Sequence, residues 1–279
     1  MGSDLNRYFS QMGARVKVLE FEPPSRRWST SRSFEESPRI VLDIRRDKQG
    51  EYFEIRTAPG GEQELVVLNV QRRKKHLLLL SRQFGEQGQF LAKQKFLCGH
   101  DERHWFVAAI PESEPVSTVE AAKIALKPAE IRTREEAIGI SRKESFRRKN
   151  AAFVRQGEWF FVPAGDVKAD RLLILRNEPL SRGNGGKPHW AEECYRSGGA
   201  TVYVSGTYPT GLTALEYNRL PEHERERGNF RVMQRDASVY VRGEIWHPDH
   251  KTVVLYSWHR VLMNTENRSS AMRFLAFLD

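Results

Sequence analysis

From Arg15 to Ile110 the chain is cut into apolar or alternating runs of six to eight residues, and this segmentation constrains its fold more than any other feature. The runs are Arg15–Phe21, Arg39–Ile44, Tyr52–Thr57, Glu64–Val70, His76–Ser81, Phe90–Leu97 and His104–Ile110. Turn-forming stretches such as Asp47-Lys48-Gln49-Gly50 and Ala58-Pro59-Gly60-Gly61 separate them. Segments too short for helices, apolar on alternate positions and joined by tight turns, pair as an antiparallel sheet or small barrel.

The pattern changes after Pro111-Glu112-Ser113-Glu114-Pro115, a short polar stretch that reads as a linker. Three hydroxyl-x-x-Glu signatures follow, Ser117–Glu120, Thr133–Glu136 and Ser141–Glu144, each a capping box that opens a short helix. From Ala151 onward the chain is mixed. Strands are expected at Phe153–Val162, Leu172–Leu175, Ala200–Ser205, Ser238–Trp246 and Thr252–Val261. Pro188 and the glycines 198 and 199 bracket His189–Arg196 as a helix, since proline favours the first helical position and glycine the end. Thr213–Glu216 caps another short helix, and the polar stretch Pro221–Gly228 reads as a loop. The expectation is an α+β protein in three parts: a strand-rich antiparallel 1–112, a connector of short capped helices over 113–150, and a mixed 151–279 that ends in a β-hairpin.

The longest apolar runs, Leu77–Leu80 and Trp105–Ile110, fall far short of the roughly 20 residues that a membrane helix needs. Two cysteines cannot make a disulfide framework, and the start lacks the basic and apolar pattern of a secretory leader. A reducing cytoplasmic setting without membrane contact is therefore expected. Charge points to a partner: 45 Lys+Arg stand against 36 Asp+Glu, a net +9. Positive potential of that kind attracts polyanions and releases their counterions on binding. The excess forms no tail, because residues 1–110 hold 19 basic and 14 acidic groups and residues 111–279 hold 26 and 22. It resolves into clusters: Arg72-Arg73-Lys74-Lys75, Arg142-Lys143 with Arg147-Arg148-Lys149, and Arg182 with Lys187. These are the candidate nucleic-acid contacts. The glycine loop around Lys187 is not a nucleotide P-loop, since Pro188 replaces the hydroxyl residue that must follow the lysine.

The histidines carry the candidate chemistry. In His247-Pro248-Asp249-His250, a two-residue turn makes the flanking histidines a cross-strand pair, with Cβ atoms about 5 Å apart. Two imidazoles so placed suit one metal ion. His259 lies nine positions beyond His250, an odd number, so it joins their face only if the strand bulges. On a helix, His189 and Glu193 share a face and could complete the ligand set. Cys98-Gly99-His100 and His104 surround Asp101-Glu102-Arg103 and read as a structural hairpin turn, because no CxxC partner exists. No Gly-x-Ser-x-Gly elbow is present.

Two functions are expected. One is a nucleic-acid-binding protein, DNA and RNA being undistinguished, that cleaves phosphodiesters. A divalent ion (Zn, Mg or Mn) on His189, Glu193, His247 and His250 would activate water. Without metal, His247, Asp249, His250 and His259 would act as general acid and base. The other is a non-enzymatic β-rich scaffold that binds nucleic acid or another protein, with structural histidines.

Overall fold

The computed structural model describes residues 2–20, 40–57, 63–85, 87–181 and 187–269. It is an α+β protein dominated by antiparallel sheets. The first part contains α1 (Gly2–Gln11), β1 (Val16–Glu20), β2 (Ile40–Asp47), β3 (Gly50–Thr57), β4 (Gln63–Gln71), β5 (His76–Phe84), β6 (Phe90–Asp101) and β7 (His104–Ile110). The middle holds α2 (Val119–Ala125), α3 (Ala129–Ala137) and α4 (Arg142–Ser145). Then follow β8 (Val154–Gln156), β9 (Trp159–Pro163), β10 (Leu175–Leu180), β11 (His189–Ser197), β12 (Ala200–Val204), β13 (Leu212–Thr213), α5 (Ala214–Arg219), α6 (Glu222–Arg227), β14 (Arg231–Arg235), β15 (Ser238–His247) and β16 (His250–Met263). No helix among the described residues is long and apolar enough to cross a membrane.

The four-stranded sheet β4-β5-β6-β7 is covered on both faces, which explains why Leu77-Leu78-Leu79-Leu80 is continuously apolar. Leu77 and Leu79, with Phe96, Cys98 and Val107, pack toward α1 and the sheet β1-β3-β2 through Phe9, Leu42 and Phe53. Leu78, Leu97 and Ala108 face the other way, against Val119, Ala122 and Ala125 of α2. The alternation is the pleat at work: neighbours on one strand serve opposite layers.

The six-stranded sheet β10-β11-β15-β16-β9-β8 builds the second body of the fold. One face buries Phe161, Ala191, Cys194, Val241, Ile245 and Leu255; the other buries Phe160 and Val162 against Ile131 of α3. A small sheet, β13-β12-β14, extends from it with α5 and α6.

The structure corrects several expectations. Strand β1 runs parallel to β3, so the first part is not wholly antiparallel. Helix α1 has no counterpart in the expected elements, and Pro221–Gly228 contains the helix α6 instead of a loop. Thr133 lies inside α3, which starts at Ala129 behind Pro128, so its box caps nothing. The largest change is His189–Ser197, a strand and not a helix. Tertiary packing decides it: Trp190 stacks on Trp246 and Tyr195 lies against Tyr240, both across the ladder with β15. Proline preceding a strand is as acceptable as proline opening a helix.

Candidate functional site: three histidines at the edge of a cleft

The turn between β15 and β16 forms as its local chemistry dictates, and His247 and His250 are paired residues across it. Strand β11 lies beside β15 and brings in His189. Nitrogens of His189, His247 and His250 all lie within 4.8 Å of one another. The rings are layered, with centroids 4.3 Å apart for His189–His247, 5.4 Å for His189–His250 and 4.9 Å for His247–His250. His189 is 1% exposed and His247 7%.

Gly157, in the turn between β8 and β9, closes over the group. Its φ of +57° belongs to the left-handed region, and a Cβ there would lie 2.9 Å from His250 Nε2 and 3.2 Å from His189 Nε2. Both nitrogens therefore face one small space that only a glycine leaves open. On the far side of its ring, His250 Nδ1 sits 3.7 Å from Glu102 Oε2, and the same oxygen accepts the Lys251 amide at 2.7 Å. At 3.7 Å the carboxylate is an electrostatic neighbour of the ring and not a hydrogen-bond acceptor for it. Burial lowers the pKa of His250 against the pull of Asp101 and Glu158, which keeps its lone pair available.

His247 is fixed differently. Its Nδ1 accepts the Asp249 amide at 3.2 Å and its Nε2 meets the Lys187 carbonyl at 3.3 Å, the pattern of a neutral ring protonated at Nε2. For His247 to ligate an ion, one of these contacts must open. Both are at the long, weak end of the hydrogen-bond range.

A cavity of about 520 Å³ adjoins the group, and His247, His250, Asp249, His104 and Lys187 are among its lining residues. His104 Nδ1 bonds Glu51 Oε1 at 2.6 Å, and Glu51 Oε2 accepts the Trp105 amide at 3.1 Å, so the ring is held by a fixed carboxylate. The other nitrogen of His104 points to Asp249, with Oδ1 at 3.7 Å. Asp249 is itself held by Lys187 Nζ at 2.9 Å; burial raises its pKa, but Lys187 outweighs that and the net shift is downward. Deeper in the lining, burial opposes ionisation of Asp101, yet Arg155 and Arg148 overcome it and keep the carboxylate charged.

The remaining candidates sort clearly. Glu193 is bound to Arg242, at 2.5 and 2.8 Å, and is not part of the histidine group. As β11 is a strand, the helical spacing that paired Glu193 with His189 does not exist; the ladder shifts between Ala191 and Glu193, and Cys194 continues the buried face. Strand β16 does bulge, at the rungs between Ile245 and His247 and between Val241 and Gly243, but His259 still lies opposite Val241, six β15 residues from His247 and so about 20 Å along the strand. It pairs with Val241 and Pro163 and bonds the Ser257 carbonyl, so it does not work with His247 and His250. Both cysteines are buried, and burial pushes both thiols up, Cys194 to about 11.

Two basic clusters, 67 positions apart by the numbers of Arg142 and Lys75, meet on one surface. Arg72, Arg73 and Lys74 form an exposed 3-10 turn with Lys75 in a left-handed conformation at its end. Glu120 of α2 joins the two: its oxygens lie 3.5 Å from Lys74 Nζ and 2.9 Å from Arg142 Nη2. Lys74 also lies over the Phe146 ring, 5.7 Å from its centroid. Lys143, Arg147 and Lys149 are exposed, and Arg147 lines the cavity. Arg148 is also exposed but pairs with Asp101 and Glu102, and exposed Lys187 pairs with Asp249. Arg182 lies outside the described residues.

Glu51, Glu102, His104 and Gly157 were not legible as site residues, because each reaches the histidines from an element distant in sequence. The only local hint was the recurrence of a turn followed by an aromatic strand at Glu102–Val107 and Gly157–Val162, the two turns that flank His250. No family model matches the chain, and no curated protein or solved structure matches it.

Proposed function

We propose that this protein binds nucleic acid and hydrolyses phosphodiesters with a divalent metal ion held by His189, His247 and His250. The observation that carries the reading is the convergence of three imidazoles beside a cavity that Arg147, Arg155 and Lys187 help to line. A donor set of three nitrogens suits Zn or a neighbouring transition ion and disfavours Mg, which prefers oxygen. Three ligands leave a fourth position, where bound water would become a nucleophile near neutral pH and phosphorus oxygens would be stabilised. His104, fixed by Glu51, stands in the same cavity as a proton carrier.

The test is metal content of the purified chain together with cleavage of labelled DNA and RNA, for wild type and for His189→Ala, His247→Ala and His250→Ala. One bound ion per chain, lost with the ligands and accompanied by loss of cleavage, is expected. Unchanged metal content and no cleavage under any condition overturn the reading. The hydrogen bonds already made by His247 favour a second reading, in which the histidines act as acid and base without metal. Cleavage that survives exhaustive chelation but fails in His247→Ala selects it.

A further inference from the structure

Lys123, on α2, lines the cavity together with His76, Asp101, Phe106 and Arg155. Most cations there are neutralised: Lys127 by Glu135, Arg148 and Arg155 by Asp101, Lys187 by Asp249. Lys123 has no carboxylate within ion-pair distance among the described residues, although it is largely withdrawn from water. Neither the metal reading nor the exposed basic surface uses it. We propose that Lys123 is a nucleophilic amine of this cavity and that its ligand is a carbonyl compound, an aldehyde or ketone borne beside a phosphate.

The chemistry follows from the surroundings. Burial, then the nearby charges of Arg155 and Lys74, bring the ammonium down from the usual lysine value to about 8, against the opposing pull of Asp101 and Glu120. His76, a further titratable neighbour, is itself held neutral by burial and by Lys123. About a tenth of the amine is thus unprotonated at pH 7 and about half at pH 8, and this is the state that adds to carbonyls. Its lone pair forms a C–N bond to the carbonyl carbon while the oxygen takes up a proton. Loss of that oxygen as water, with the second proton drawn from Nζ, leaves an imine. Arg147, which lines the same cavity and is exposed, would hold the phosphate.

Two probes distinguish the sources of such a ligand: pyridoxal phosphate, a small phosphorylated aldehyde, and an oligonucleotide carrying an aldehydic abasic site. Each is incubated with the full chain, reduced with borohydride, which delivers hydride to the imine carbon, and mapped by peptide mass spectrometry. One adduct per chain on Lys123 is expected, increasing with pH about a midpoint near 8. It should vanish in Lys123→Arg, which keeps the positive charge, and persist in His247→Ala, so a failed metal reading leaves this result standing. Labelling by the small aldehyde alone assigns a small-molecule ligand, and trapping of the oligonucleotide assigns a nucleic acid. Adducts scattered over exposed lysines, adducts that survive in a normally folded Lys123→Arg, or no adduct with either probe overturn the proposal.

Discussion

At the residue scale the geometry of the histidine group depends most on Gly157. Alanine there meets two penalties at once, a left-handed φ that costs an L-residue about 1–2 kcal/mol and a Cβ 2.9 Å from His250 Nε2. Gly157→Ala should lower stability by about that amount and also weaken the proposed zinc binding, because His250 must move. Thermal denaturation and a zinc titration check this; a variant that loses stability but titrates like the wild type would separate the glycine from the site. His76 gives a second residue-scale expectation. Burial holds its pKa near 4, below the 6.5 of an exposed histidine. Between those values the unfolded chain binds a proton that the folded chain refuses, so stability falls as pH drops through that window. The span corresponds to about 3 kcal/mol. Urea denaturation at pH 7 and pH 4.5 should show a smaller acid loss in His76→Gln than in the wild type, with His100, His250 and His259, all lowered by burial, supplying what remains.

At the scale of elements, what could be read from sequence is what local geometry controls. A two-residue turn makes its flanking residues partners whatever the rest of the chain does, so the His247–His250 pairing was accessible. The alternating runs likewise located most strands of the first part. The third histidine was identified as a candidate for the wrong reason, on a helix with Glu193 beside it. Its true position depends on β11 lying next to β15, a neighbour relation that no local pattern in His189–Ser197 encodes. The helical middle shows the same division. The Ser141 box located α4, and the Ser117 box fell one residue short of Thr118, which caps α2 through the Ala121 amide. The group that locks the two helices together is long-range: Lys127 Nζ lies 2.8 Å from Glu135 Oε2 and 2.6 Å from the Ser145 carbonyl, with Lys127 5% exposed. Burial lowers the Lys127 pKa even though Glu135 supports its charge. Removing one partner strands the other in the interior, so Lys127→Met should cost about 3–5 kcal/mol. Lys127→Met combined with Glu135→Leu should recover much of that loss in chemical denaturation, because no buried charge is then left unpaired.

At the scale of the whole molecule, the fold turns a nearly uniform charge excess into a directed one. The turn Asp101-Glu102-Arg103 reaches from the four-stranded sheet to the other body, where its carboxylates hold Arg148, Arg155 and the Lys251 amide. Those cations are consumed in joining the two bodies. The basic groups left for a polyanion are those around Lys74 and Arg142, with Glu120 standing between them. That carboxylate has two opposing effects. It gathers the cations, and it competes with any phosphate for them, its own pKa held down by Arg142 and then Lys74. Exposed ion pairs contribute at most about 1 kcal/mol, so the cluster should survive loss of the charge while the competition disappears. Glu120→Gln should therefore tighten binding to single-stranded DNA or RNA several-fold at low salt. Its log-affinity should also fall more steeply with log salt, by about 0.7–0.9 for each phosphate newly neutralised. Lys74→Gln and Arg142→Gln should move both quantities the other way. If the three variants bind like the wild type across a salt series, phosphates do not dock on this surface, and the proposed nucleic-acid binding falls to the cations at the cavity.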